Sequence, residues 1–433
     1  MTVLRVQLAE RLTVSRGRWV VIAVALVTLA AKLTVAAKTY GTNDIKHWMG
    51  FAAAVRNVGP IGIYGYHFHV YAVYNHPPLI GYFLQLINFN EHIGIPLKVS
   101  IRAAASLADF VAALVVFELV RRRRSLLDAT ASGSLIALSP VLFTISGFHG
   151  NTDPIFTMLT LLSVYLLADR SRPVWSGLAI GVALGVKVVP VVAVPSLLIF
   201  AAMRGRRSFL RFCSALALAL AVIWGPAAIL KGPALRAQVL DYPGLGLGQW
   251  GLMQFGHWAL DPWWVAWLKG PGRIVVVAVC ATVPAIVVWH RPQMIASAVA
   301  LSLVAFLAFS PAFAVQYLAW AAAATVVIGF WNGLAYNVAA GLLLVKVYTR
   351  WSGGFPWTKK MAFYSPLTPR EVVLGMLVWA ALLIASWRVV RQAFTTPSER
   401  HESPNKHVDE PVGRRQDERA SITRSEAVST SRG

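Results

Sequence analysis

Two carboxylates stand where apolar blocks give way to polar chain, and a carboxylate so placed can take a proton from a hydroxyl. The first is Asp44, in Asn43-Asp44, directly beyond the first apolar block. Such a group at a membrane surface can serve as general base toward an acceptor hydroxyl. It also suits a plain helix N-cap, and on the residues alone both readings stand. The second is Asp153, closing the run Ser146-Gly-Phe-His-Gly-Asn-Thr-Asp-Pro154. Asp followed by Pro at the first helical position is again what capping chemistry alone produces. Here, though, His149 and Asn151 join it to make a polar cluster.

Further groups could complete a site. The run Tyr64-Gly-Tyr-His-Phe-His-Val-Tyr71 precedes Tyr74-Asn-His-Pro-Pro-Leu79, which contains His76. Exposed rings suit stacking on sugar faces and suit headgroup-level anchoring equally. His67 and His69 have the chemistry of metal ligands, but no carboxylate or cysteine cluster accompanies them in sequence, so no metal is assigned. Arg102, Asp109 and Lys187 are ionisable residues inside apolar blocks, where charge is costly and faces the interior of a bundle. Lys187 could neutralise a lipid phosphate, or simply snorkel to the interface. The turn Ser310-Pro-Ala-Phe-Ala-Val-Gln-Tyr-Leu-Ala-Trp320 sets Gln316 and Tyr317 at the start of a returning helix. There they can hydrogen-bond a substrate or a neighbouring helix.

These residues need a scaffold, and composition names it. Of 433 residues, 57% are hydrophobic and 13% charged, about half the charged share of a soluble domain. The apolar residues fall in blocks of about 15 to 22, near the roughly 20 that cross a bilayer as a helix. Helix is the form in which a spanning segment satisfies its own backbone. The expected fold is therefore an all-α polytopic membrane protein of about 11–12 membrane segments. The net charge of +22 does not mark a nucleic-acid binder. Its basic residues cluster at the ends of apolar blocks, as in Arg121 to Arg124 and Arg204, Arg206 and Arg207, which read as positive-inside topology markers. Cys213 and Cys280 both lie in apolar blocks, so no disulfide framework is implied.

With a basic N-terminus inside, residues 38–97 form a large first external loop. After Asp44, apolar residues recur at Ile45, Trp48, Met49, Ala52 and Val55, the spacing of an interfacial helix. Residues 231–273 and 348–370 form further external loops. The stretch 176–203 has basic clusters at both ends, so both should be cytoplasmic, and its length suits two half-helices turning near Lys187 and Pro190. A single long tilted helix is the alternative. Residues 1–391 make the membrane domain, and 392–433, rich in Ser, Thr, Arg and Glu, read as a disordered cytoplasmic tail.

The order of Asn43-Asp44, His76-Pro-Pro-Leu79, Gly150-Asn-Thr-Asp-Pro154, Lys187-Val-Val-Pro190 and Ser310-Pro…Gln316-Tyr317…Trp320 along this topology resembles the GT-C superfamily of membrane glycosyltransferases. The likeness covers the chain to about residue 390. It departs from the commoner acidic pair in the first loop by having Asn43 before Asp44. The resemblance implies inverting transfer of a mannose-like hexose from a polyprenyl-phosphate carrier to a lipid-linked or glycan acceptor. The site would open on the non-cytoplasmic face of the inner (plasma) membrane. Asp44 would be the catalytic base, and no cofactor is required, because a phosphodiester-linked sugar needs no nucleotide or metal. Lys187, Arg350 and His149 would stabilise the departing phosphate, with Asp153, Asn151, His76, Gln316 and Tyr317 binding substrate. Two other classes compete. A flippase or transporter of lipid-linked sugars would need charges lining a through-pathway, whereas here the polar motifs gather on one face. A membrane acyltransferase would need a catalytic histidine with an acid, a role open to His149 with Asp153.

Overall fold

The computed structural model describes residues 13–69, 73–242 and 248–395. In chain order, α1 (Val14–Lys38) is followed by α2 (Asp44–Gly62), α3 (Pro78–His92), α4 (Leu97–Arg121) and α5 (Leu126–His149). Then come α6 (Asp153–Val164), which continues as a π turn to Asp169, and the short α7 (Pro173–Val186) and α8 (Val189–Met203). The long α9 (Arg206–Leu240) leads to two small helices, α10 (Gly251–Trp258) and α11 (Pro262–Lys269). After these run α12 (Gly272–His290), α13 (Pro292–Phe309), α14 (Val315–Ile328), α15 (Phe330–Trp351) and α16 (Pro369–Thr395). Eight of these helices are long and apolar enough to cross a membrane, and α7, α8 and α14 are shorter apolar helices. The described residues thus form an all-helical, multi-pass membrane protein.

The ends of the bundle differ in chemistry. At one end, Arg18 and Arg121 share Glu118, and Arg123 pairs with Asp169 at 2.9 Å. Arg124 donates to the last carbonyls of α14, Val327 and Ile328. Arginine at a helix C-terminus satisfies orphan carbonyls and meets the negative end of the dipole. Arg388 bonds Asn332 at the same end. The opposite end carries α2, α3 and the loop 352–368. The chain leaves α7 through Lys187 in extended conformation (φ −154°, ψ 150°). It then returns through α8 to Arg204, whose guanidinium donates to the carbonyl of Ala168.

The interfacial spacing read in the first loop forms α2, with Ile45, Trp48, Ala52 and Val55 buried, while Met49 is exposed. Phe51, outside that stripe, is buried as well. Pro78 opens α3 as its first residue, where its missing N–H costs nothing. Arg102 and Asp109 are both buried, as their place in apolar blocks required. Asp109 meets a partner the sequence reading passed over, Lys32 of α1, at 2.7 Å with both side chains almost wholly buried. Helix α16 runs beyond residue 391 because Val389 and Ala393 continue its buried stripe. Residues 396–433, most of the expected tail, lie outside the described residues.

Candidate functional site

Asp44 is held between segments far apart in the sequence. Just before it, the backbone of Gly41–Asn43 pairs with Ala362 from the loop 352–368. The Asn43 amide donates to the Ala362 carbonyl at 2.8 Å, and the Ala362 amide to the Gly41 carbonyl at 2.8 Å. Gly41 has φ +80°, and a Cβ there would press into the guanidinium of Arg102. That guanidinium donates to the carbonyl of Ala36 at 2.9 Å and the hydroxyl of Thr39 at 3.2 Å, so it caps α1 beneath the turn. A second glycine turn, Gly150 at φ +83°, lies against Arg102 from the other side and follows His149 directly.

The two turns bring Asp44 and His149 together. His149 Nε2 is 2.9 Å from Asp44 Oδ2, and His149 Nδ1 is 2.8 Å from the Tyr348 hydroxyl. Gln316 Nε2 also reaches Oδ2, at 3.4 Å. The other carboxylate oxygen, Oδ1, carries no hydrogen bond among the described residues. The capping reading of Asp44 fails here: Asn43 occupies the N-cap position, and the Asp44 side chain is spent on His149 instead. Burial pushes the Asp44 carboxyl up, but His149, with smaller help from His47 and His76, outweighs it and holds the group below the usual carboxylate range. At neutral pH it is a carboxylate.

Asp153 is likewise free of capping duty. Its Oδ1 takes the Lys187 ammonium at 2.5 Å and its Oδ2 the Trp320 indole N–H at 2.8 Å. Asn151 accepts from the Asp153 amide at 3.1 Å and so fixes the turn. Lys187 also lies over the rings of Tyr317 (4.9 Å) and Trp320 (5.4 Å), an arrangement that stabilises a cation. Asp153 is fully buried, while the Lys187 side chain is 20% exposed. The ammonium therefore reaches open space and the carboxylate does not.

These groups surround one cavity of about 380 Å³. Asp44, His149, Asn151, Lys187, Gln316, Tyr317 and His76 all line it. His76 stacks on Trp48 at 4.5 Å. Burial, followed by the charge of Lys187 and against the pull of Asp44, drives its imidazole down to about 3, so it stays neutral. Asp153 stands behind Lys187 rather than on the wall. Arg350 is not brought to the cavity: it forms a two-pronged pair with Glu371 at 2.8 and 3.0 Å and bonds Ser365 and the Pro366 carbonyl. The resemblance implied a place for it in the site, but Glu371 of α16 claims it. Nor does His149 pair with Asp153, as an acyltransferase reading required, since its partner is Asp44. Tyr348, Tyr242, Trp351 and Tyr364 complete the surroundings and were not singled out in the sequence, where aromatic residues inside or beside apolar blocks read as core or belt. The Trp351 indole N–H is buried on this wall without a partner among the described residues.

Comparison with known proteins adds an independent line. Residues 75–228 match the family described as dolichyl-phosphate-mannose-protein mannosyltransferase. Over 132 residues, 29% of this chain, the sequence is 24% identical to GPI mannosyltransferase 1 of Candida albicans, and the match spans only 31% of that protein. Among solved structures, ArnT from Cupriavidus metallidurans bound to undecaprenyl phosphate is similar with a TM-score of 0.46 at 12% identity, covering 86% of this chain and 76% of that one. The Archaeoglobus fulgidus oligosaccharyltransferase is similar with a TM-score of 0.37 at 14% identity, covering 85% and 55%. The family match takes in His76, His149, Asn151, Asp153 and Lys187, while Asp44, Gln316 and Tyr317 lie outside it. The likeness to membrane glycosyltransferases read from the motifs thus has a counterpart in a mannosyltransferase family that matches the middle of the chain.

Proposed function

We propose that this protein transfers a mannose-like hexose from a polyprenyl-phosphate carrier to a hydroxyl of a lipid-linked or glycan acceptor, with inversion. The observation that carries this reading is one cavity holding an ionised carboxylate, Asp44, with one oxygen unbonded among the described residues, and a partly exposed ammonium, Lys187, on different partners. Oδ1 of Asp44 takes the acceptor proton as the acceptor oxygen bonds to the anomeric carbon. The bond from that carbon to the phosphate oxygen breaks, and its electron pair leaves with polyprenyl phosphate. Lys187 meets the negative charge growing there, an electrostatic contribution that is large in a site shielded from water. Asp153 and Trp320 hold Lys187 in place, while neutral His76 and Gln316 offer hydrogen bonds to sugar hydroxyls. By the positive-inside rule the arginine-rich end faces the cytoplasm, so the cavity opens on the outer side of the plasma membrane. On that orientation α7 and α8 are a re-entrant pair whose break carries Lys187 to the cavity.

The test supplies full-length protein in nanodiscs with a panel of polyprenyl-phosphate sugars and, separately, nucleotide sugars, each with a lipid-linked glycan acceptor. Transfer from the lipid donors is expected. Transfer from nucleotide sugars alone would sink the proposal.

The acid limb of kcat/KM should report Asp44, since a carboxylate that has taken a proton cannot accept another. In the native protein this limb lies below the ordinary carboxylate range, because His149 outweighs burial. In His149→Gln the burial stays and the opposing imidazole is gone, so the limb moves to higher pH. A limb that does not move belongs to another group.

A further inference from the structure

Tyr66, His67, Phe68 and His69 of the first loop take no part in the cavity of Asp44. They line a second cavity of about 440 Å³ on the opposite face of α2. At roughly 100° per residue along a helix, Asp44, Trp48 and Phe51 share one face of α2. Gly50, Ala53 and Arg56 look the other way. Gly50 and Ala53 present almost no bulk, which is why a hollow forms there. Tyr66 and Phe68 wall it edge to face, with ring centres 5.0 Å apart, and Phe68 is backed by Phe51 at 5.2 Å. Arg56 and Glu91 close the rim, paired at 2.9 Å with side chains 47% and 33% exposed.

We propose that this hollow is a subsite for a neutral sugar ring of the acceptor, which rests on the transfer reading above. The chemistry selects that class of ligand. The charge of Arg56 is already met by Glu91, and the carboxylate repels an anion, so a phosphate is disfavoured. His67, His69 and Glu91 form no metal-ligand group among the described residues. What remains is a ring face beside a planar guanidinium and a carboxylate, which together offer several donors and acceptors to neighbouring hydroxyls. An exposed ion pair of this kind adds little to stability, so the fold has small need of it. Apolar walls with a few fixed polar groups are the usual make-up of a ligand pocket. Helix α2 stands between the two hollows, and a helix with its side chains is about 10 Å across. The ring held here is therefore not the one being glycosylated. The acceptor is an oligosaccharide, and its binding energy at a distance serves to orient the reacting hydroxyl.

The experiment uses mannotriose as probe with full-length Asp44→Asn protein in nanodiscs, observed by saturation-transfer NMR, so that binding is read without turnover. Saturation of the trisaccharide is expected, with affinity reduced about tenfold or more in the added variants Tyr66→Ala and Arg56→Gln. Tyr66 and Arg56 are exposed, and intact helicity by circular dichroism separates lost binding from lost fold. No saturation, or saturation unchanged in both variants, overturns the subsite. That result would leave the transfer reading standing, since the latter is judged by donor turnover in the native protein. Failure of turnover with retained, Tyr66-dependent binding would do the reverse.

Discussion

Replacing Asp44 by Asn is expected to lower kcat for sugar transfer by about 100-fold or more, the range over which a positioned general base contributes. The change removes one proton-accepting oxygen and very little else. Asn has nearly the same shape, and its side-chain oxygen can still meet His149 and Gln316, so the turn at Gly41 and the start of α2 should persist. Because Asp44 addresses the acceptor hydroxyl while Lys187 addresses the phosphate, KM for the lipid donor should change much less than kcat. Lys187→Met should show the opposite emphasis, weakening donor binding as well as turnover. The measurement is steady-state transfer of labelled sugar in nanodiscs, with thermal unfolding alongside. Turnover within a few-fold of native in Asp44→Asn would remove the carboxylate from the chemistry.

The second large effect concerns stability. Lys32 and Asp109 face one another at 2.7 Å deep in the bundle, 2% and 3% exposed. Asp109→Ala leaves an ammonium without its partner in an apolar interior, and breaking such a pair costs about 3–5 kcal/mol. Part of that cost is recovered if Lys32 loses its proton, so the measured value should sit toward the lower end. The double replacement Lys32→Met with Asp109→Leu removes both charges together and should return most of the lost stability, since buried pairs exchange for apolar residues at little net cost. Accessibility of the buried Cys280 thiol to a fluorogenic maleimide during heating, in a Cys213→Ala background, gives the unfolding midpoint. If the single variant unfolds with the native protein, the pair contributes nothing. If the double variant is as weak as the single, shape rather than charge is what matters at this position.

Charge in an apolar context was the most readable signal in this chain. Arg102, Asp109 and Lys187 stood out because each breaks a block of greasy residues, and all three are buried or half-buried in ways that use their charge. Lys32 carries the same signal and was passed over, in the middle of the first block. Candidate carboxylates could be found, but their partners could not. Asp44 and His149 are separated by 105 positions, and nothing local to either favours that pairing over His149 with Asp153. Arg350 lay at the right end of the bundle and was assigned to the site, yet Glu371, at the start of α16, sits 2.8 Å away. Tyr348 could not be told from core, for a tyrosine is chosen as core or as partner by a single hydroxyl contact. The helical frame was legible because it needs only composition and period, while the wall of the cavity depends on which faces of distant helices meet.

The pairing of Asn43 with Ala362 has a consequence for biogenesis. The ribosome makes the first of these residues more than three hundred positions before the second, a delay on the order of tens of seconds at roughly 5–20 residues per second. Until the loop 352–368 emerges, the turn that presents Asp44 lacks its backbone brace. A nascent chain halted before residue 352 should insert and yet stay inert, so competence arrives with the loop 352–368 and not gradually along the chain.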